Sequence, residues 1–571
     1  MSDPAPTTRG VATLADIEAM ERAAPLEARL PGDAVWQMLE SAGERHADRP
    51  ALSFLPTGDP DEAAQTWTHA QLLMHCRRLA NWLHAQGVRD EAGVGLLLPN
   101  VPQTYFALFG SQAAAVACPI SPSMGPGAIA GILSAGRCEV LVTEGPARNP
   151  ALWQRACAAV AEAHGGVRHV LALGGGGPGM PAGVQVHDFE RACAAHAGDR
   201  LDFTPTRDPH APTARFHTGG TTGAPKLATQ TQRNQVYLAW CMGELVDFGP
   251  RDVVLIGLPL FHVHAVIPLS MGPLIRGGHL VILGPQGFRH PAVIHGFWRV
   301  VERFGATCFS AVPTVHAGLL QVSTAGVRLD SLRVAFSGSA PLARQVAQDV
   351  QQRTGLVILE GYGLTEGTCM STLNPLHGPR HFGSIGLRLP YQAMKVARLD
   401  EAGRWQADCG VGETGHLLIN GPNVFAGYAD AAQSAAAFAA PGWLNTGDLG
   451  RCDADSYYWI SGRAKDLIKR SGHSIDPQGV EEVLHADPAI ALAAVAARRA
   501  ARAGEVPVAF VTLKPGAASD AGQLLASCRL RLDDPVATPV HLTILPQLPM
   551  TAVGKLDKVA LRALAAADTS H

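Results

Sequence analysis

What most constrains this chain is an alternation of short, wholly apolar runs with segments of helical periodicity. Val94–Leu98 (VGLLL) is closed by Pro99-Asn100, and similar runs recur at Val253–Gly257, Leu280–Leu283, Thr307–Val312 and Val334–Ser337. Between such runs, Ala70–Ala85, Ala292–Phe304 and Leu342–Thr354 carry apolar residues at helical spacing. Strands apolar on both faces need helices on both sides, so the pattern predicts an α/β fold on largely parallel sheets. From about residue 383 to Trp459-Ile460 the sequence turns strand-rich with frequent Gly and Pro, and a last segment has its own helices and a strand at Val506–Leu513. We expect a loosely packed arm at 1–32, which holds four prolines and a patchy helix, a large domain at 33–462 and a boundary at Arg463–Lys465. A small α+β domain at 466–571 completes the reading. The run Gly174–Gly177 before Pro178 lacks a following helix and reads as a surface loop.

With 571 residues, 47% of them hydrophobic, there is ample material for a buried core. The 46 Lys and Arg nearly balance 49 Asp and Glu, which argues against a general polyanion-binding surface and against a disordered acidic chain. Eleven cysteines lie singly between Cys76 and Cys528 with no CxxC pair, the pattern of reduced thiols. The start MSDPAPTTRG lacks a secretory pattern, and Ala107–Ile120, which includes Ser111 and Gln112, is too short to span a bilayer. The last three residues, Thr569-Ser570-His571, do not match a peroxisomal SKL address. The expectation is a soluble cytoplasmic protein.

Phe216–Ala228 reads FHTGGTTGAPKLA. Gly219, Gly220 and Gly223 free the backbone to turn its N–H groups onto an anion, and Thr218, Thr221 and Thr222 add hydroxyls. Lys226 supplies charge, with Pro225 fixing its approach. No Gly-Lys-Ser/Thr follows, so this is not a Walker loop. Alone it would read as a solvated turn. Seven further segments change that: LPLFH (258–262), SGSAP (337–341), EGYGLTEG (360–367), GETGHLLINGPNVFAGY (412–428), NTGDLG (445–450), GRAKDLIKRSGHSIDP (462–477) and TAVGKLDK (551–558). With TGGTTGAPK (218–226) they stand in the order found in the adenylate-forming superfamily, which the chain resembles over roughly residues 35–560. That family joins acyl-CoA synthetases, carrier-protein adenylation domains and firefly-type luciferases.

The resemblance implies a large N-terminal domain with sheets sandwiched by helices, a β-rich subdomain and a small mobile C-terminal domain. It also implies two half-reactions: a carboxylate attacks the α-phosphate of ATP, releasing pyrophosphate, and a thiol then takes the acyl group and releases AMP. By the same likeness Gly338, Ser339, Ala340, Glu360, Gly361, Tyr362 and Gly363 line the adenine side, with Tyr362 stacking on the base. Thr365 binds the α-phosphate, Glu366 holds Mg²⁺, Asp448 takes the ribose hydroxyls, and Arg463 reaches ribose or phosphate. Lys555 bridges carboxylate and α-phosphate and is the main catalytic residue. Lys465 is the hinge. After rotation Lys469, Ser471, Gly472 and His473 serve the second step, with Gly472 leaving room for the pantetheine arm of CoA. His262 sits at the acyl entrance. Read from the residues alone, His262 follows an apolar strand and His264 lies two residues on; on a strand both would face one side, as a zinc pair would, but no third ligand has suitable spacing.

Three positions depart from the family pattern. Leu227 replaces the glycine after the loop lysine and would narrow loop motion, and Gly219 stands where many relatives have Ser. Asp476-Pro477 reads as an N-cap and first helical residue, but Gly479 replaces an acidic residue and removes a capping box, which loosens the helix start by about 1 kcal/mol. The leading reading is an ATP-dependent acyl-CoA ligase for a fatty or other apolar acid, a monomer or homodimer without nucleic acid or an integral membrane segment. The candidate pocket residues His262, Val263, Val266, Gly338, Thr368 and Met370 offer no carboxylate for an amino group. Only 16 residues follow Lys555, so a fused carrier is not expected, while loading of a separate carrier protein stays open. An inactive nucleotide-binding relative is the remaining alternative, and luciferase-type oxidation has no support.

Overall fold

The computed structural model describes residues 10–567 apart from 90, 164, 219–225, 472, 501, 502, 515, 533 and 552–554. Four sheets carry the described chain. The first has nine strands, and its centre is parallel: Val357–Tyr362, Val334–Ser337, Cys308–Ala311, Val253–Ile256, His279–Leu283 and Pro50–Leu55 lie side by side. The second has eight strands and is parallel from Val116–Pro119 through Gly93–Leu97, Cys138–Glu144 and His169–Leu173 to Gln185–Asp188. On the other side it continues through the antiparallel pair Pro212–Thr218 and Lys226–Thr231 to the short edge strand Gly427–Tyr428. A six-stranded antiparallel sheet spans Ala393–Arg463, and a five-stranded one is built from residues 468–544.

The apolar runs become fully buried strands, as at Val334–Ser337 and Gly93–Leu97. The helices between them start and stop at local signals. Thr68 and Gln71 form a capping box at the head of His69–Ala85, and Thr231 with Asn234 does the same for Gln232–Leu245. Pro291 opens Pro291–Phe304, and Gly305 closes it with a φ of 59°. Ala107–Ile120 divides into the end of a buried helix, Pro102–Ala114, and the strand Val116–Pro119. Among the described residues no helix is long and apolar enough to cross a membrane. The eleven cysteines are all free.

The arm contains its expected helix but is packed, not loose. Leu14–Ala23 is a helix with a complete capping box at Thr13 and Asp16, and Ile17 and Leu26 are buried. Glu21 takes Arg388 on both carboxylate oxygens (2.5 and 2.9 Å) and also accepts from the Tyr391 amide. Arg29 donates to the Tyr391 hydroxyl at 2.7 Å. Prolines marked loop in the sequence, but ion pairing across more than 360 positions gave no local sign. Burial pushes the Glu21 carboxyl up, and Arg388 with the Tyr391 amide more than offsets it, leaving the group below its usual range. Its stabilisation is therefore present above the unfolded carboxyl range and is lost as pH falls through the lowered folded value.

Replacing Glu21 by Ala leaves Arg388, whose side chain is only 17% exposed, without its anion. We expect a loss of about 1–3 kcal/mol, read as a lower urea midpoint with unchanged slope, and a smaller difference from wild type as the pH is lowered.

Candidate active site

The site forms where strand ends from three sheets meet. The parallel strands deliver Ala311, Ser337 and Glu360–Tyr362 at their carboxyl ends, the place where open α/β sheets bind ligands. Thr218 ends one strand and Lys226 begins the next, and the two are register partners across the hairpin. The loop that they bracket, with Gly219, Gly220, Thr221, Thr222 and Gly223, lies outside the described residues, as does Gly472. Leu227 is buried with Leu97 and Ile120, so the residue that replaces the family glycine anchors the strand behind the loop.

Asp448 sits mid-strand in Trp443–Cys452 and is 4% exposed. Its Oδ2 accepts the Tyr362 hydroxyl at 2.6 Å, and its Oδ1 faces Arg463 Nε at 2.9 Å. Asp448 and Arg463 are register partners on neighbouring strands, which fixes the pair. The Arg463 guanidinium is strengthened chiefly by Asp448, while burial pushes the Tyr362 hydroxyl far above its usual range.

Thr365–Gly367 is a single 3-10 turn. Gln230 Nε2 donates to the Thr365 carbonyl at 3.0 Å, and the Phe425 amide donates to the Glu366 carbonyl at 2.9 Å. Glu366 Oε1 accepts the Tyr428 hydroxyl at 2.6 Å, and Lys226 Nζ lies 4.9 Å from the centre of the same ring. A carboxylate with one such bond keeps lone pairs for a hard cation such as Mg²⁺, so the residue present fits that role. Gly363 is required by space, because a Cβ there would lie 1.7 Å from the Cys369 carbonyl oxygen. Glu360 accepts from the Leu342 and Gly383 amides at 3.2 and 3.3 Å, and burial raises its carboxyl to about 7. Gly338, Ser339 and Ala340 follow Ser337 at the same strand ends, with Ser339 in a left-handed conformation at φ 70°.

Lys555 is half-buried, its amide donating to Thr551 Oγ1 at 3.1 Å while its carbonyl accepts from the Thr551 amide at 2.7 Å. Burial and the Arg463 charge lower its ammonium to about 8, with Cys369 and Asp448 acting in the opposite direction. The charge of Lys555 also acts on His262 and His264, where burial is the larger cause holding both imidazoles well below their usual range. One cleft thus gathers Lys555, Asp448, Arg463, Tyr362, His262 and His264. Lys465 lies in the short turn Ala464–Asp466 and is lowered by burial and Arg463. Lys469 and Ser471 are exposed at the strand Ile468–Arg470 and the turn after it, and His473 begins the strand that pairs with it.

His262 follows an apolar strand, as the sequence suggested, and does not lie on it. The strand ends at Ile256, and His262 caps the short helix Val263–Val266, its Nδ1 accepting from the His264 amide at 3.3 Å. Pro268 then falls in a π-helical turn, Ile267–Met271, where its missing N–H costs the wider ladder less than it would an α-helix. His262 and His264 therefore do not share a strand face, and among the described residues no three His, Cys, Asp or Glu side chains are placed to hold a metal ion. Tyr428 and Gln230 had no assigned role in the sequence reading. Tyr428 closes the quoted segment 412–428, whereas nothing local marks Gln230.

Residues 39–429 match the AMP-binding enzyme family, and residues 479–555 match the AMP-binding enzyme C-terminal domain. The chain belongs to the AMP-binding enzyme family. It is 38% identical over 560 residues to marinolic acid–CoA ligase of Pseudoalteromonas sp. (strain SANK 73390), covering 97% of this chain and 84% of that one. It is 32% identical over 521 residues to sulfoacetate–CoA ligase of Cupriavidus necator, covering 90% and 96%. The crystal structure of ATP-bound MatB from Rhodopseudomonas palustris superimposes with a TM-score of 0.79 at 25% identity, covering 93% and 99%. This AMP-binding enzyme is accordingly an AMP-forming ligase of the acid–CoA type, with a mixed α/β fold.

In an Asp448→Asn variant of this AMP-binding enzyme, Arg463 loses its anion and Tyr362 a charged acceptor. We expect the KM for ATP to rise about 10- to 100-fold with the fold intact by circular dichroism, measured by ATP titration of pyrophosphate release.

Proposed function

We propose that the protein activates a carboxylic acid with an apolar body as acyl-AMP and then transfers the acyl group to CoA. The observation that carries this reading is Lys555 held in one cleft with the Asp448–Arg463–Tyr362 cluster and the carboxyl ends of the parallel strands. Gly338–Ala340 and Glu360–Tyr362 offer backbone and ring to adenine, and Asp448 with Arg463 takes the ribose. Thr218, Lys226 and Thr365 bind phosphate oxygens together with the loop 219–225. Glu366 holds Mg²⁺, which when bound neutralises phosphate charge. Lys555 places its ammonium between the acid carboxylate and the α-phosphate, where charge grows in the transition state. Val263, Val266 and Met370 are buried and apolar, which supports an apolar acid over an amino acid.

For the second step the domain at 466–571 turns about Arg463–Lys465, withdrawing Lys555 and bringing up Lys469, Ser471 and Gly472. Asp476 caps Pro477–His485 through the Gln478 amide at 3.0 Å, without a box partner at Gly479. Full-length relatives that are CoA ligases support CoA as acceptor.

Lys555→Ala should lower acid-dependent pyrophosphate release by about 10²–10³-fold, and an unchanged rate would sink the assigned role. Because the ammonium is the active form and titrates at about 8, wild-type kcat/KM for this step should fall as pH rises through that value. Lys555→Arg should be slower but flat across the same range. AMP release that prefers a phosphopantetheinylated carrier protein to CoA would overturn the acceptor and leave adenylation standing. ATP binding without any acid-dependent chemistry would favour an inactive relative.

A further inference from the structure

Beside His262 lies a polar cluster that the roles assigned so far do not use. His264 Nε2 is 2.9 Å from Ser310 Oγ, and its Nδ1 is 3.4 Å from Ser339 Oγ. Ser310 Oγ is within donating distance of the Phe336 carbonyl at 3.3 Å, and we take its single proton to lie there, so that it accepts from the ring. Nε2 therefore carries the imidazole hydrogen, by inference from the network, and Nδ1 presents a lone pair that the long Ser339 contact satisfies only weakly. Ser339 is held at φ 70°, a left-handed conformation that is strained for a residue with a Cβ and that gathers at binding sites. Gly338 lies against the ring, where a Cβ would be in ordinary van der Waals contact with His264 Cε1 at 3.4 Å.

Two neighbours deepen the pattern. The Ser337 hydroxyl, on a residue 2% exposed, and His217 Nε2, on a ring stacked 5.9 Å from Phe261, are buried without a partner among the described residues. Unpaired buried polar atoms are costly, so such a concentration beside a cleft points to a ligand that completes it. Burial holds His217 and His264 at about 4, so both are neutral near pH 7. A second carboxylate or a sulfonate would find no counter-charge in these groups. A wholly apolar chain would leave the Nδ1 lone pair unmet. A hydroxyl suits both neighbours, donating to Nδ1 while accepting from Ser339. The wall also adjoins the carboxylate position, because the Lys555 charge reaches His262 and His264 together.

We propose that the acid taken by this site carries an uncharged hydroxyl a few bonds from its carboxylate, seated on His264 and Ser339. This rests on the ligase reading above and narrows it. The test measures acid-dependent pyrophosphate release for matched pairs: lactate against propionate, a β-hydroxy fatty acid against its unsubstituted parent, and salicylate against benzoate, with malonate as the charged comparison. We expect the hydroxylated member to lead by about tenfold in kcat/KM in at least one pair. His264→Leu should lower that hydroxy acid about tenfold more than its parent. Ser310→Ala, which keeps the ring but releases Nε2, should shift the ratio the same way. Parents equal to or better than their hydroxy acids in every pair, a preference for malonate, or variants that lower both members equally would overturn the hydroxyl assignment and leave the ligase standing. ATP binding with no pyrophosphate release from any acid would instead bring down the ligase reading, and the hydroxyl assignment with it.

Discussion

The buried Asp448 carboxylate is the interaction on which the rest of the site depends. A carboxylate this deep is tolerable only with strong partners, and Asp448 has two, a hydroxyl and a guanidinium. Those partners come from separate parts of the chain. Tyr362 ends a strand of the large parallel sheet, and Arg463 ends the strand that leads into the last segment. One anion thus ties the adenine side of the cleft to the residue beside the proposed hinge. The same arrangement sets the environment of Lys555. Burial first and Arg463 next push its ammonium down, while Cys369 and Asp448 pull it up, so the lysine is lowered to about 8 and still mostly charged near neutrality.

Much of the scaffold was legible because its signals are local. Val334–Ser337 was bounded as observed, and the helices at Ala70–Ala85 and Ala292–Phe304 each begin one residue earlier than periodicity suggested. Thr68, Thr231 and Gly305 supplied the stops and starts. The end of the strand before His262 was less sharply marked, because an apolar run continues through Leu258–Phe261 after the ladder has ended, and hydropathy cannot distinguish a buried turn from a buried strand. The arm was misjudged for a different reason. Its stability comes from Glu21 and Arg388, and pairing over that distance leaves no periodicity to read.

The candidate site divides in the same way. Lys226, Thr365, Glu366, Asp448, Arg463 and Lys555 were legible only through their order in the chain, since each taken singly is an ordinary loop or surface residue. Their partners were not legible. Tyr428 on Glu366 and Ser310 on His264 are single polar side chains in otherwise apolar stretches, and Gln230 on the Thr365 carbonyl is one of several polar residues in a row. A serine in a buried strand looks the same in sequence whether it supports an imidazole or bonds its own backbone.

The charge distribution of the cleft follows from these partners. Lys555 works as a cation only if nothing nearby neutralises it before substrate arrives. The groups around it meet that condition: the Asp448 anion is already engaged by Arg463 and Tyr362, the Cys369 thiol is raised to about 12 by burial, and the imidazoles of His262 and His264 are neutral. Cationic imidazoles would repel the lysine and lower it further, and a free carboxylate would hold it in a salt bridge. Neutral, fully oriented donors and acceptors do neither, yet they can still select the acid. Charge for the reaction and selectivity for the substrate can therefore reside in adjacent groups without interfering, because burial has separated their titrations by several pH units.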